Sequence, residues 1–133
     1  MALQLRVLDG DYAVSRLERS GTFPTWADGD GFVSISRSAE ELSIVCRSER
    51  VPAEDPNVRS EPGWACFQLV GPFAFKLTGI LLAVLKPLAE AEIGIFAVST
   101  FDTDYVMVKH QQLAEATTAL ISDGHTVNKA FTA

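Results

Sequence analysis

The sequence predicts an α+β fold: two units built on antiparallel sheets, with the helices on one face of a sheet. Three observations lead there. In the second half the hydrophobic periodicity alternates in the order strand, helix, strand, strand, helix, strand. In the first half, short strand patterns recur between turn signals. Between them, Glu49 to Gly63 is polar and carries Pro52, Pro56 and Pro62, the composition of a partly extended linker. A division near residue 60 follows, with units 1–60 and 61–133. No residue-by-residue repeat relates the two halves.

In the first half, Leu3, Leu5 and Val7 alternate with Gln4 and Arg6 as a half-buried strand does. Asp9-Gly10-Asp11 is a hairpin turn signal before the strand pattern of Tyr12, Val14 and Leu17, so an opening hairpin is expected. Gly21 to Gly31 reads as loop, with Trp26 as a plug at the core edge or, alternatively, a ligand platform. Phe32, Val33 and Ile35 form a short strand. Ser38 and Glu41 have capping-box spacing, with room for no more than one helical turn before the strand at Leu42, Ile44 and Cys46.

In the second half, Trp64 to Val70 is a strand that Gly71-Pro72 ends, because proline donates no ladder bond. Leu77, Ile80, Leu81, Val84, Leu85 and Leu88 fall at helical spacing. Pro87 removes the amide that would bond the Ala83 carbonyl, so the last turn should bend or weaken. Leu82 and Ala83 widen the apolar surface beyond the stripe needed against one sheet, which leaves a face for the first half or another subunit. Ile93, Ile95, Phe96 and Val98 make a buried strand, Ser99 to Asp104 a turn, and Tyr105 to Val108 a strand. Leu113 to Ile121 is an amphipathic helix stopped by Gly124, and His125 to Phe131 a last strand. This order is that of the ferredoxin-like split unit.

The chain has 133 residues and a formal net charge of −6, which disfavours nucleic acid and anionic membrane surfaces as partners. No apolar run reaches the roughly 20 residues a membrane span needs. The amino terminus has no basic region followed by an apolar core, so a cytoplasmic protein without a signal peptide is expected. Cys46 and Cys66 lie within apolar strand patterns and read as buried, reduced thiols. Neither has a second Cys or His at ligand spacing, so no metal is expected. His110 and His125 read as structural or exposed.

The informative stretch is Trp64 to Lys109. The turn Gly71 to Gly79 delivers the chain into a helix whose first amides lack internal partners and can receive a carboxylate. Asp102 and Asp104 lie in the turn of a neighbouring strand pair and can pair with an ammonium or guanidinium group. Each has a plainer reading. Gly71 serves as a turn residue, Asp102 and Asp104 as solvated acids, and Lys76 as an exposed helix lysine. Thr78 bonds backbone, and Phe101 covers a core edge. Asp102 and Asp104 as an acid–base pair would need an environment that splits their pKa values, and a polar turn gives no sign of one. No nucleophile–base pair appears, so no catalytic residue and no cofactor is expected.

The pieces GPFAFKLTGIL, PLAEAEIGIFAVST and FDTDYVMV, between Trp64 and Asp104 and just beyond, resemble the ACT-domain family. Within it they are similar to the small bacterial proteins with two ACT-like units per chain, a branch related to the CASTOR arginine sensors. ELSIVC, from Glu41 to Cys46, resembles the first unit of that branch. The resemblance implies a degenerate N-terminal ACT-like unit over 1–60 and an ACT domain over 61–133. It implies a non-catalytic regulatory protein that binds an amino acid or similar small ligand at an interface between units, with a homodimer likewise implied and an unknown regulated protein as partner. The implied ligand set comprises Gly79, Ile80, Thr100, Phe101 and Asp104; the residue reading adds Gly71, Pro72, Thr78 and Asp102. At the position where those sensors are expected to carry an acid near the helix start stands Leu77, and no acid lies between Gly71 and Gly79, which argues against arginine itself. The alternative is a ligand-free structural or protein-interaction module that dimerises through its ACT units.

Overall fold

A computed structural model describes residues 1–74 and 77–129 of the chain. The elements are β1 (Gln4–Val7), β2 (Tyr12–Leu17), β3 (Ser34–Arg37), β4 (Leu42–Arg47), β5 (Arg59–Leu69), α1 (Ile80–Glu90), β6 (Ile95–Ser99), β7 (Asp104–Lys109), α2 (Leu113–Ser122) and β8 (Thr126–Lys129). Two compact units emerge: Gly10–Trp64, and Met1–Asp9 with Ala65–Ala133. The division falls inside β5 rather than in the polar linker expected near residue 60, and the first segment joins the later unit.

In the unit 10–64 the strand order is β3-β4-β2-β5, with every pairing antiparallel. Single 3-10 turns, Thr25–Ala27 and Ser48–Arg50, stand between β2 and β3 and between β4 and β5. The chain therefore runs strand, turn, strand, strand, turn, strand, which is the connectivity of the split β-α-β unit with a 3-10 turn for each helix. Ala27, Ile44 and Cys46 form the core, with Leu17, Trp26, Ile35 and Val51 packed against it. Trp26 thus closes the core edge. Ser38 starts no helix. Its hydroxyl accepts the Glu40 and Glu41 amides at 3.2 Å each, so a capping-type spacing here serves the β3–β4 turn.

The expected hairpin between β1 and β2 does not form. β1 pairs antiparallel with β5, Leu5 opposite Leu69, and parallel with β8, Leu5 opposite Val127. The later unit then has the order β6-β7-β5-β1-β8. Leu5 is fully buried with Phe67, Leu69, Val84, Leu88 and Leu120. Burying the whole apolar face of β1 outweighs what a local turn offers, since a hairpin alone is marginal in water. Asp11, expected in that hairpin turn, instead ties segments of its own unit. Its carboxylate accepts the Gly63 amide at 3.0 Å and the Ser48 hydroxyl, and its carbonyl accepts the Ser48 amide at 2.8 Å.

Three further expectations shift. α1 begins at Ile80, because Gly79 sits in the left-handed region at φ 79°, so Leu77 and Thr78 precede the helix. β6 begins at Ile95 and is half-exposed rather than buried, because it is an edge strand that pairs only with β7; Ile93, before it, is the buried residue. β8 is described to Lys129, and Phe131 and Lys76 lie outside the described residues. α2 ends before Gly124, at φ 97°, as its sequence predicts. Among the described residues no helix is long and apolar enough to cross a membrane.

Pro87 does not end α1, which continues to Glu90. The carbonyl that Pro87 leaves without a donor is that of Ala83. His125 Nε2 reaches this carbonyl at 2.8 Å, while its Nδ1 accepts the Leu3 amide at 3.0 Å. Nδ1 accepts, so Nε2 carries the proton and donates: the ring is the neutral Nε2–H tautomer. The Thr126 amide in turn donates to the Leu3 carbonyl at 2.9 Å. One buried histidine thus repairs the helix defect and fastens β1 beside β8. His125→Ala should lower the unfolding free energy by about 2–3 kcal/mol in urea titrations, because a buried amide and a part-buried carbonyl lose their partners. In a Pro87→Ala background the loss should shrink by about 1 kcal/mol, because the restored amide at position 87 can bond Ala83 itself.

Both cysteines are free and buried. Burial pushes the Cys66 thiol up to about 12 from 9.0. The folded state therefore holds this proton more tightly than the unfolded state does. Stability from this thiol is complete below about pH 9 and falls, by up to about 1.4 kcal/mol per pH unit, as pH rises toward 12. Native protein at pH 8 should leave Cys66 unlabelled by a thiol reagent that reacts promptly after urea is added.

Candidate functional site

The site lies in the later unit, where the chain leaving β5 meets the β6–β7 turn. β5 ends at Leu69 because its next residues are Val70, Gly71 and Pro72. The exit segment is then pinned to the turn. The Phe73 amide donates to the Asp102 carbonyl at 2.9 Å, and the Thr103 hydroxyl donates to the Leu69 carbonyl at 2.6 Å. The turn closes on itself through the Thr100 amide and the Thr103 carbonyl at 2.8 Å. At the base of the turn the Ser99 hydroxyl donates to Oδ1 of Asp104, its cross-strand partner.

These bonds enclose an open depression of about 220 Å³. Phe73, Ala74, Leu77 and Ile80 line one side, and Ser99 to Asp104 the other. The structure thus brings together five of the residues singled out by sequence: Ile80, Thr100, Phe101, Asp102 and Asp104. It leaves Gly71, Pro72, Thr78 and Gly79 outside the lining. Gly71 has another role. A Cβ there would lie 3.0 Å from the Asp102 carbonyl and 3.1 Å from the Phe73 ring, so its close approach is to the turn backbone. Gly79 meets no such obstacle, and its glycine is required by φ 79° alone.

Gly79 also occupies the N-cap of α1 with no side-chain cap bond. The Ala83 amide bonds the Gly79 carbonyl at 2.9 Å, so by helix geometry the amides of Ile80, Leu81 and Leu82 precede the first intrahelical donor. Sequence reasoning missed Phe73, Ala74, Ser99 and Thr103 as lining residues, and met Leu77 only as a departure from a pattern. Only Ser99 had a local signal: it stands last in a strand facing an acidic turn. Among the described residues no group of three or more His, Cys, Asp or Glu side chains is placed to hold a metal.

Comparison with known proteins identifies the class. Residues 59–122 match the ACT-domain family model, and residues 10–54 match a separate model of an N-terminal domain. The crystal structure of protein Atu0741 from Agrobacterium tumefaciens is 45% identical, with a TM-score of 0.90, over 100% of this chain and 98% of that one. The chain belongs to the ACT-domain family.

It is also related to a human protein named CASTOR3P, with 26% identity over 102 residues, 69% of this chain; the matched region spans only 63% of that relative's length. The regulatory subunit of aspartate kinase from Thermus flavus shares the fold, with a TM-score of 0.64 at 10% identity over 92% of this chain and 97% of that one. The later part of the chain is thus an ACT domain, with the fold seen in that regulatory subunit.

Gly71→Ala and Gly79→Ala should separate the two glycine roles. Gly79→Ala should cost about 1 kcal/mol in urea unfolding, from the left-handed backbone alone. Gly71→Ala should move the amide NMR signals of Phe73 and Asp102, because the added carbon displaces the turn.

Proposed function

We propose that this protein is a non-catalytic sensor that binds a free amino acid, or a similar small ligand, in the depression between the β5 exit segment and the β6–β7 turn. The observation that carries the reading is the convergence of Ile80 with Thr100, Phe101, Asp102 and Asp104 on one depression. The uncapped start of α1 would receive the ligand carboxylate. Asp104, one carboxylate oxygen of which is oriented by Ser99, would receive the ammonium. Thr100 and Phe101 would contribute contact from the turn. Gly71, Pro72, Thr78 and Gly79 would support the site by shaping the segment that enters the helix.

The depression is open on one side, so a second surface would complete it, in keeping with a ligand held at an interface between ACT-type units. The unit 10–64, which has the split-unit connectivity with both helices reduced, would be a degenerate ACT-like unit. Ligand would act by favouring one arrangement of units over another, and a homodimer would transmit the change to a regulated protein.

A second reading has one specific observation behind it. Leu82 is 64% exposed on α1. An apolar helix position open to solvent suits a ligand-free module that associates through this face.

A thermal-shift scan against the twenty amino acids at millimolar concentration tests the first reading. Ligand at a hundredfold excess over its dissociation constant should stabilise the fold by about 2.7 kcal/mol. The response should vanish in Asp104→Ala. A flat response across the panel, with light scattering showing a dimer that Leu82→Asp dissociates, would favour the interaction module instead.

A further inference from the structure

Large apolar side chains scattered singly over a surface are ordinary, but their convergence on one concavity is not. Leu77 and Phe101 are 52% and 78% exposed. They stand on the two separate segments that border the same depression, with Phe73 and Ile80 also in its lining. The charged groups that line the depression among the described residues are both acidic, Asp102 and Asp104. Asp104 keeps one carboxylate oxygen without a hydrogen-bond partner among the described residues, while the other is held by Ser99. Asp102 is exposed on the same turn, and no cationic side chain lines the depression among the described residues.

Resting on the ligand site proposed above, we infer that it selects an amino acid with an apolar side chain. The ammonium lies at Asp104 and the side chain against Leu77, Phe101 and Ile80. The two exposed apolar side chains on the depression set this choice. An acidic side chain would meet Asp102 and Asp104 with no described cation to offset them. An apolar side chain leaves nothing unpaired and covers the two exposed hydrophobic residues.

Isothermal titration calorimetry on the full chain tests the inference with leucine, isoleucine, valine, methionine and phenylalanine, against arginine, lysine, aspartate and glutamate. At least one apolar amino acid should bind, and every charged one should bind at least about a hundredfold more weakly. Leu77→Ala should weaken the apolar ligand about tenfold, as loss of hydrophobic pocket surface does. Leu77 precedes α1 and is half-exposed, so circular dichroism should show the variant folded. Leu77→Glu should weaken the apolar ligand and strengthen arginine. Tighter binding of arginine or glutamate than of any apolar amino acid to the unaltered protein would overturn the side-chain class and leave the site reading standing. Absence of binding by all nine, with Leu77→Ala and Phe101→Ala lowering only the oligomeric state in sedimentation, would overturn both and assign the patch to a second copy of the chain.

Discussion

The later unit depends on one part-buried hydrogen bond, from His125 Nε2 to the Ala83 carbonyl. Pro87 creates the need for it. A proline four residues beyond Ala83 withdraws the amide that a continuous helix would supply, and a buried carbonyl without a donor costs about 1–3 kcal/mol. Because Nε2 donates there, Nδ1 is left as the acceptor, and it takes the Leu3 amide. A defect in α1, the loop before β8 and the start of β1 are therefore satisfied by a single ring. The same tautomer serves both bonds, so each stabilises the other.

That arrangement fixes β1 in the place next to β5, where the last strand of a simple split unit would lie. Its neighbour β5 then supplies part of the frame of the candidate site. β5 ends at Leu69, and the Leu69 carbonyl is taken by Thr103 of the β6–β7 turn. The turn is thereby fixed against the segment leaving β5, and Ile80 at the start of α1 lines the same small depression as Asp104. A β-turn and a loop entering a helix are local structures. Their mutual position depends on the sheet that carries them, and on the core of Leu5, Phe67, Leu69, Val84, Leu88 and Leu120 beneath.

The two units share one strand connectivity and differ in their helices. One unit retains both helices, while the other keeps the strand connectivity and replaces each helix by a single 3-10 turn. The depression is lined by Phe73, Leu77, Ile80 and Phe101 together with the hydroxyls and carboxylates of the β6–β7 turn. The distribution of charge, rather than its total, sets what such a site would accept. A chain with a net charge of −6 would otherwise be expected to attract cations without distinction.

Much of this was legible in the sequence. The period of the hydrophobic residues gave the order of strands and helices in the second half, and the thiol environment of Cys66 followed from its place in an apolar strand. The helix start was not legible: the periodicity began at Leu77, whereas the left-handed Gly79 delays α1 to Ile80. Ile80 was set beside the acidic turn only by the resemblance to the ACT-domain family, and the structure places both on one depression. Other features were not legible, for a common physical reason. Asp9-Gly10-Asp11 has the local chemistry of a hairpin, yet β1 pairs elsewhere, since burial of Leu5 with residues more than sixty positions away outweighs a two-residue turn. β6 is apolar enough to read as buried, but its position at the sheet edge leaves it half-exposed. Phe73 and Leu77 joined the site only because the Asp102 carbonyl captures the Phe73 amide. The sequence by itself determined the elements, because periodicity and turn chemistry act within a few residues. The tertiary structure alone decided which strands are neighbours and which side chains meet, because those choices satisfy burial and hydrogen bonding over the whole unit at once.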